Sequence, residues 1–394
     1  MVESIEVVYN AIGILWHDSV VRKTASTIGT NLIYYDDDSM LMAGIKETTE
    51  ELIRFKTVTG ENDEIRRCRD FIKDHFKDGF YIKEFDDNGV PSLLVTTRDT
   101  MEPRYLLMCH MDVVPAPEEC FTPKEKDGKL YGRGAYDDKG PLAIAMELVK
   151  ELPEKDVGVL VTGDEEKGGM NGAYHVFEQG LKPGFAIVLD GGEPNSYVTA
   201  SKGIVFLKII AKGKESHGSR PWQGENAIEK LMSALSKIKE AFPEKEDDEH
   251  WYTTVNISKF EAGDAINKVP GEAVAHLDIR HTEEMDPESI KERISQAAGD
   301  VEVETIKIGS MFLTDRENED LKRLLDSSNE FYGEEPELIR SHGGSDARFL
   351  SPKGIPCVIT DPKGEGMHQK DECLDIRSAE ELFRMLKGFL EENA

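Results

Sequence analysis

The chain is expected to adopt an α/β fold: a mixed, largely parallel sheet flanked by helices, interrupted by an inserted ferredoxin-like α+β domain. Three observations predict this. Short continuous apolar runs at 105–109, 157–162 and 185–189 suit strands buried on both faces, as parallel sheets require. Segments of helical period separate these runs, and acids or a histidine follow each of them. Between about 201 and 310 the pattern changes to half-exposed alternating strands and two amphipathic helices.

The elements follow in order. Residues 1–40 read as an extension outside the main fold. Their apolar patch at 7–16 follows Glu3 and Glu6 and makes a poor secretory signal. Helical spacing begins at about Lys46 and covers 47–55 and 62–76, with Asn62 or Asp63 placed to cap the second helix. Strands are expected at 80–85 and 91–97, joined by the turn Asp86-Asp87-Asn88-Gly89. The 105–109 strand ends in His110-Met111-Asp112. A loop then leads to Gly132-Arg133-Gly134-Ala135-Tyr136-Asp137-Asp138-Lys139-Gly140-Pro141 and an apolar helix over 142–152. The 157–162 strand ends in Gly163-Asp164-Glu165-Glu166. After a helix at 174–179, the 185–189 strand ends in Asp190-Gly191-Gly192-Glu193.

Within the insert, strands are expected at 204–211, 252–260, 271–280 and 301–308. Helices are expected at 225–242, where Ile228, Leu231, Met232, Leu235 and Ile238 share a face, and at 287–298. That order is strand-helix-strand-strand-helix-strand. Alternation resumes with 317–332, 356–360 and 378–392. The expected division is 1–40 for the extension, 41–200 with 311–394 for the main domain, and 201–310 for the insert.

The charge balance excludes some partners. The 394 residues hold 77 acidic against 48 basic side chains, a net charge of −29. Binding to nucleic acid or an anionic membrane needs clustered basic residues, so neither partner is expected. The five cysteines form no CxxC pair, which argues against a disulfide scaffold or zinc ribbon and for a reducing cytoplasm.

His110, Asp112, Asp137, Glu165, Glu166, Asp190 and His368 all sit at strand ends or in adjoining loops. Brought together without counter-charge, such acids would repel one another and resist burial. Divalent cations resolve the conflict. Two histidines with three carboxylates suit a pair of zinc ions, with cobalt or manganese as substitutes. His110 and Asp112 share one face of an extended strand, as a ligand and the acid that orients it would. Glu165 and Glu166 are neighbours that point differently, so one can bind metal while the other handles protons.

His110-Met111-Asp112, the Gly132–Pro141 segment, Asp164-Glu165-Glu166, Asp190-Gly191-Gly192 and the stretch from Met367 to Glu372 occur in an order that resembles one metallopeptidase family. That family includes acetylornithine deacetylase, succinyl-diaminopimelate desuccinylase, aminoacylase, carboxypeptidase G and the carnosinases, and the resemblance covers roughly 44–394. It implies a two-zinc hydrolase whose catalytic domain is interrupted by a lid and dimerisation domain. By the same resemblance His110 and Asp190 ligate one metal, Glu166 and His368 the other, and Asp137 bridges them. Glu193, in Gly192-Glu193-Pro194, is the alternative to Asp190. Asp112 orients His110 and Glu165 is the general base, whereas Asp138, by its position alone, is expected to cap the following helix.

In the lid, His217 resembles the histidine that reaches across the dimer to the scissile carbonyl. Asn267 and Arg280 resemble the binders of the substrate carboxylate, and the Gly343-Gly344-Ser345-Asp346 loop, through Gly344 and Ser345, closes on the same group. His17, His75, His175, His250, His276 and His281 match no motif and are expected to be structural or exposed. His342, beside the glycine pair, has no assigned role.

The resemblance implies hydrolysis of an amide bond in a small carboxylate-bearing substrate by a cytoplasmic homodimer. An N-acyl amino acid deacylase is the first reading and a dipeptidase or other exopeptidase the second. A metal-free relative without activity is a third, against which the complete ligand set argues.

Overall fold

The computed structural model describes residues 24–28, 31–35, 37–76, 79–246 and 249–394, with side chains from 44 onward. The apolar patch at 7–16, His17 and most of the 1–40 extension lie outside the described residues. Thr24–Ile28 and Asn31–Tyr35 pair as an antiparallel hairpin in the unit comprising 1–44.

Four strands lie side by side and parallel at the centre of a nine-stranded sheet: Val157–Thr162, Tyr105–His110, Phe185–Val188 and Cys357–Ile359. All four are buried throughout, which explains their continuous apolar sequences. Antiparallel neighbours extend both sides. One is the hairpin Tyr81–Asp87 and Val90–Thr96, whose turn places Asn88 and Gly89 at φ +50° and +83°. An Asn-Gly pair with positive φ supplies the twist that a two-residue hairpin loop needs. On the other side lies Ser196–Ser201, which pairs with Glu337–Ser341, Phe312–Leu313 and Cys357–Ile359.

The buried helix Lys139–Glu151 packs on the strands Tyr105–His110 and Val157–Thr162 and against the C-terminal helix Ile376–Asn393. A small antiparallel sheet of Lys124–Lys126, Lys129–Tyr131, Cys373–Asp375 and Gly364–Glu365 ties the 130s loop to the 360s loop. Sequence periodicity did not reveal it, because two- and three-residue strands carry no period.

The insert forms its own four-stranded antiparallel sheet in the order Thr254–Ala262, Glu272–His281, Gly203–Lys212 and Glu302–Gly309. Helices Ala227–Ala241 and Pro287–Ala298 cover one face and share a core with Leu207, Ile209, Leu231, Ile238, Leu277 and Ile290. This is the ferredoxin-like arrangement expected from the element order.

Three local expectations need correction. The first helix begins at Asp37, before the apolar periodicity starts, and runs to Arg54. The second helix has Glu61 at its N-cap position, with no side-chain cap from Asn62 or Asp63. Asp138 occupies the N-cap position of Lys139–Glu151 but makes no capping bond there, because its carboxylate accepts the His110 N–H at 2.7 Å instead. All five cysteines are buried free thiols. Among the described residues no helix is long and apolar enough to cross a membrane.

Candidate metal centre and active site

Open α/β sheets place functional groups beyond the carboxyl ends of their strands, and this sheet does the same. His110 ends one central strand. Glu165 and Glu166 follow the next, Asp190 follows the third, and Asp361 follows the fourth. The small sheet brings His368 to the same place.

Two overlapping triads of donor atoms result, each with its atoms within 4.8 Å of one another: His110, Asp137 and Asp190, and Asp137, Glu166 and His368. Asp137 belongs to both. Its Oδ1 lies 3.0 Å from His110 Nε2 and its Oδ2 lies 3.0 Å from His368 Nε2. His368 Nε2 is also 3.1 Å from Glu166. Asp190, not Glu193, joins His110 and Asp137. Glu193 lies instead beside Ser196 on an acidic cleft with Glu334, Glu335 and Glu337.

The supporting bonds are specific. The His110 ring is fixed from behind at Nδ1 by the Asp112 carbonyl at 2.9 Å, while the Asp112 carboxylate stands 3.5 Å away. That carboxylate accepts the backbone N–H groups of Glu165 and Glu166 and the Thr59 hydroxyl. Asp112 therefore positions the Glu165-Glu166 loop as well as the histidine. Glu372 accepts the N–H groups of Tyr136 and Asp137 at 3.1 and 3.0 Å and pairs with buried Arg133. The loop carrying Asp137 is thus anchored to the segment carrying His368.

Crowding sets the electrostatics. Burial, reinforced by the charge of Asp137, pushes Glu166 up to about 7 and Asp190 up to about 6. Burial also raises Glu165 well above the usual carboxylate range, helped by Asp190 and Asp346, and brings Asp346 to about 7. Burial works against a charged His110 ring, yet the Asp112 and Asp137 carboxylates hold it well above the usual histidine range. For Asp137 burial is outweighed by His110 and His368, and its pKa falls. Acids packed this closely beside two imidazoles fit divalent cations, which neutralise the carboxylates and bind neutral imidazole.

Residues 106–392 match the model of peptidase family M20/M25/M40. The chain belongs to this family. A succinyl-diaminopimelate desuccinylase from Legionella pneumophila (strain Corby) is 29% identical over 385 residues, covering 89% of this chain and 99% of that protein. One from Thioalkalivibrio sulfidiphilus is 30% identical over 379 residues, covering 89% and 98%. Among solved structures, a tripeptidase from Staphylococcus aureus is 25% identical with a TM-score of 0.73, covering 89% of this chain and 98% of that one. Aminopeptidase PepT from Bacillus cereus, 23% identical with a TM-score of 0.74 over 89% and 98%, shares the fold. As a member of peptidase family M20/M25/M40 with desuccinylase relatives, the chain is a metal-dependent amidohydrolase.

The remaining expected site residues of this M20-family chain divide. Arg280 and Gly344 line a cleft of about 390 Å³ together with Glu165 and Glu166. His217 and Asn267 lie elsewhere, side by side on the insert, where the Gly218 N–H donates to the Asn267 carbonyl. The His217 ring is exposed and 2.8 Å from the Ser219 hydroxyl. Ser345 is buried and its hydroxyl caps the Ala347 N–H. The histidines without a motif divide as well: His281 is buried in the insert, and His75 pairs with buried Glu147 at 3.1 Å.

Sequence reasoning missed Asp361 as part of this region. Its carboxylate accepts the Gly191 N–H at 3.2 Å and so secures the turn after Asp190. The signal was present, since an apolar strand ending in an acid is the frame that flagged Asp190.

Proposed function

We propose that this enzyme is an N-acyl amino acid deacylase, hydrolysing the amide bond of a small carboxylate-bearing substrate in the cytoplasm as a homodimer. The observation that carries the reading is the pair of donor triads sharing Asp137 beside Glu165. His110 and Asp190 would hold one zinc ion, Glu166 and His368 the other, and Asp137 both. Cobalt or manganese could replace zinc.

When bound, such ions polarise the amide carbonyl and ease deprotonation of a water molecule. Glu165 takes that proton at its carboxylate and delivers it to the leaving nitrogen. Its burial beside Asp190 and Asp346 raises its proton affinity. Asp112 fixes the His110 ring and the Glu165 backbone. Arg280 and the Gly344-Ser345 loop receive the substrate carboxylate, with Asn267 brought to it together with His217, and a guanidinium suits that task through paired hydrogen bonds. His217 donates to the carbonyl oxygen as negative charge develops there. In this reading 41–200 and 311–394 form the catalytic domain, and 201–310 the lid and dimerisation domain.

A dipeptidase or other exopeptidase is the second reading, supported by the likeness to the tripeptidase. The test is a turnover screen of the zinc- and cobalt-loaded protein against N-succinyl-diaminopimelate, N-acetylornithine, other N-acyl amino acids and a dipeptide panel. Cleavage of N-acyl amino acids at least tenfold faster than dipeptides is expected; the reverse order selects the second reading.

A further inference from the structure

A lysine follows each of the two pairs of adjacent acids at the site, in Asp137-Asp138-Lys139 and Glu165-Glu166-Lys167. The proposed chemistry uses neither. Both donate to the backbone of one short segment, residues 55–60. The Lys139 ammonium donates to the Phe55 carbonyl at 2.6 Å, and the Lys167 ammonium to the Thr59 carbonyl at 2.6 Å. Lys139 is fully buried, and among the described residues it pairs with no carboxylate, a costly setting for a cation. Each lysine also passes a glycine of positive φ. A Cβ on Gly134, at φ +86°, would stand 2.7 Å from the Lys139 stem, and one on Gly60, at φ +102°, 2.9 Å from the Lys167 ammonium. A side chain at either place would strain the backbone and obstruct the lysine.

The segment runs beside the exit of the His110 strand. Thr57 and Thr59 are buried. The Val113 N–H donates to the Thr57 carbonyl at 2.9 Å and the Thr59 N–H to the Val113 carbonyl at 3.0 Å, so residues 57–59 lie parallel to 111–113. The Thr57 hydroxyl donates to the Met111 carbonyl at 2.5 Å. Thr59 closes a ring of bonds. Its hydroxyl donates to the Asp112 carboxylate at 2.8 Å, and that carboxylate accepts the Glu165 and Glu166 N–H groups at 3.1 and 3.3 Å. The next residue, Lys167, returns to the Thr59 carbonyl. One threonine thus holds the Glu165-Glu166 loop both through its backbone and from its flank.

We propose that residues 55–60 are a strap that sets the Glu165-Glu166 loop against the loop carrying Asp137, with Thr59 and Lys167 as positioning residues for Glu165. This rests on the reading of Glu165 as the proton carrier. A reacting group must be held to about half an ångström to act at full rate, and supporting hydrogen bonds secure it.

The experiment uses the zinc-loaded protein and its Thr59→Val, Thr59→Ser and Lys167→Met variants. Valine keeps the shape of threonine without the hydroxyl, and serine keeps the hydroxyl. Amide hydrogen exchange is followed in peptides covering residues 163–168, alongside kcat, KM and bound zinc. Exchange there should quicken about tenfold in Thr59→Val and Lys167→Met and stay near wild type in Thr59→Ser. The same two variants should lose about tenfold in kcat, with KM and zinc content unchanged, and Thr59→Ser should restore it. Both break one ring, so the double variant should lose little more than the worse single one. Unchanged exchange or unchanged kcat in Thr59→Val overturns the proposal, as do losses that multiply in the double variant. If Thr59→Val fails to fold, Lys167→Met, altered on an exposed residue, carries the same two readouts. If Glu165→Gln keeps full turnover, the proton-carrier reading fails by itself, and the exchange measurement still decides whether the strap holds the loop.

Discussion

At the scale of single residues, the site depends on one shared carboxylate and one proton carrier. Asp137 reaches both histidines from its two oxygens. Asp137→Ala should reduce bound zinc from two ions per chain to one or fewer and abolish turnover, as read by elemental analysis of the dialysed protein. Retention of two tightly bound ions with normal turnover would refute the assignment. Glu165→Gln should keep both ions and the fold while cutting turnover roughly a hundredfold to ten-thousandfold, because the amide cannot accept a proton. A loss of metal instead would mean that Glu165 and Glu166 have exchanged roles. These residues were legible in the sequence because each stands at the end of an apolar strand or in a short local motif. The Arg133–Glu372 pair was not, since its partners are 239 positions apart and nothing local announces them.

At the scale of elements, long strands and helices were readable because burial leaves a period, while short connecting strands and buried ion pairs were not. Two such pairs give predictions. Arg133→Met leaves Glu372 buried without its cation, and breaking a buried pair costs about 3–5 kcal/mol. The urea midpoint should fall accordingly, and zinc should bind more weakly because Glu372 holds the Asp137 backbone. The second pair joins Tyr105–His110 to the helix Glu319–Tyr332. Asp320 accepts the Tyr105 hydroxyl at 2.8 Å and is gripped by Arg104 and Arg323. Burial raises its pKa, but these donors outweigh burial and hold it below the ordinary 3.8. A carboxyl whose pKa is lowered by folding contributes stability above its unfolded pKa and loses it as pH falls through the folded value. Wild type should therefore exceed Asp320→Asn in stability at neutral pH, and the difference should shrink below about pH 4. Urea unfolding of both proteins from pH 7 to pH 3 checks this; a gap independent of pH would show that packing, not charge, dominates.

At the scale of the whole molecule, the placement of His217 raises the question of how a complete site is assembled. All five donors of the two triads come from the strand ends of the main sheet and the loops tied by the small sheet, whereas His217 and Asn267 stand together, exposed, on the insert. In the proposed reading the imidazole acts on the carbonyl from a second copy, and closure around substrate also serves to exclude water. His217→Ala should bind metal normally and lose turnover by roughly a hundredfold or more if the ring is an oxyanion donor. Mixed with Glu165→Gln under conditions of subunit exchange, half the dimers become mixed, and one of the two sites in each combines an intact Glu165 with the partner's intact His217. Activity should return to about a quarter of the wild-type value, as the symmetry of a two-fold dimer requires. If exchange is verified by mass spectrometry and activity stays at the level of the separate variants, His217 does not act across the interface. The insert would then serve its own chain's site or hold the dimer without entering the chemistry.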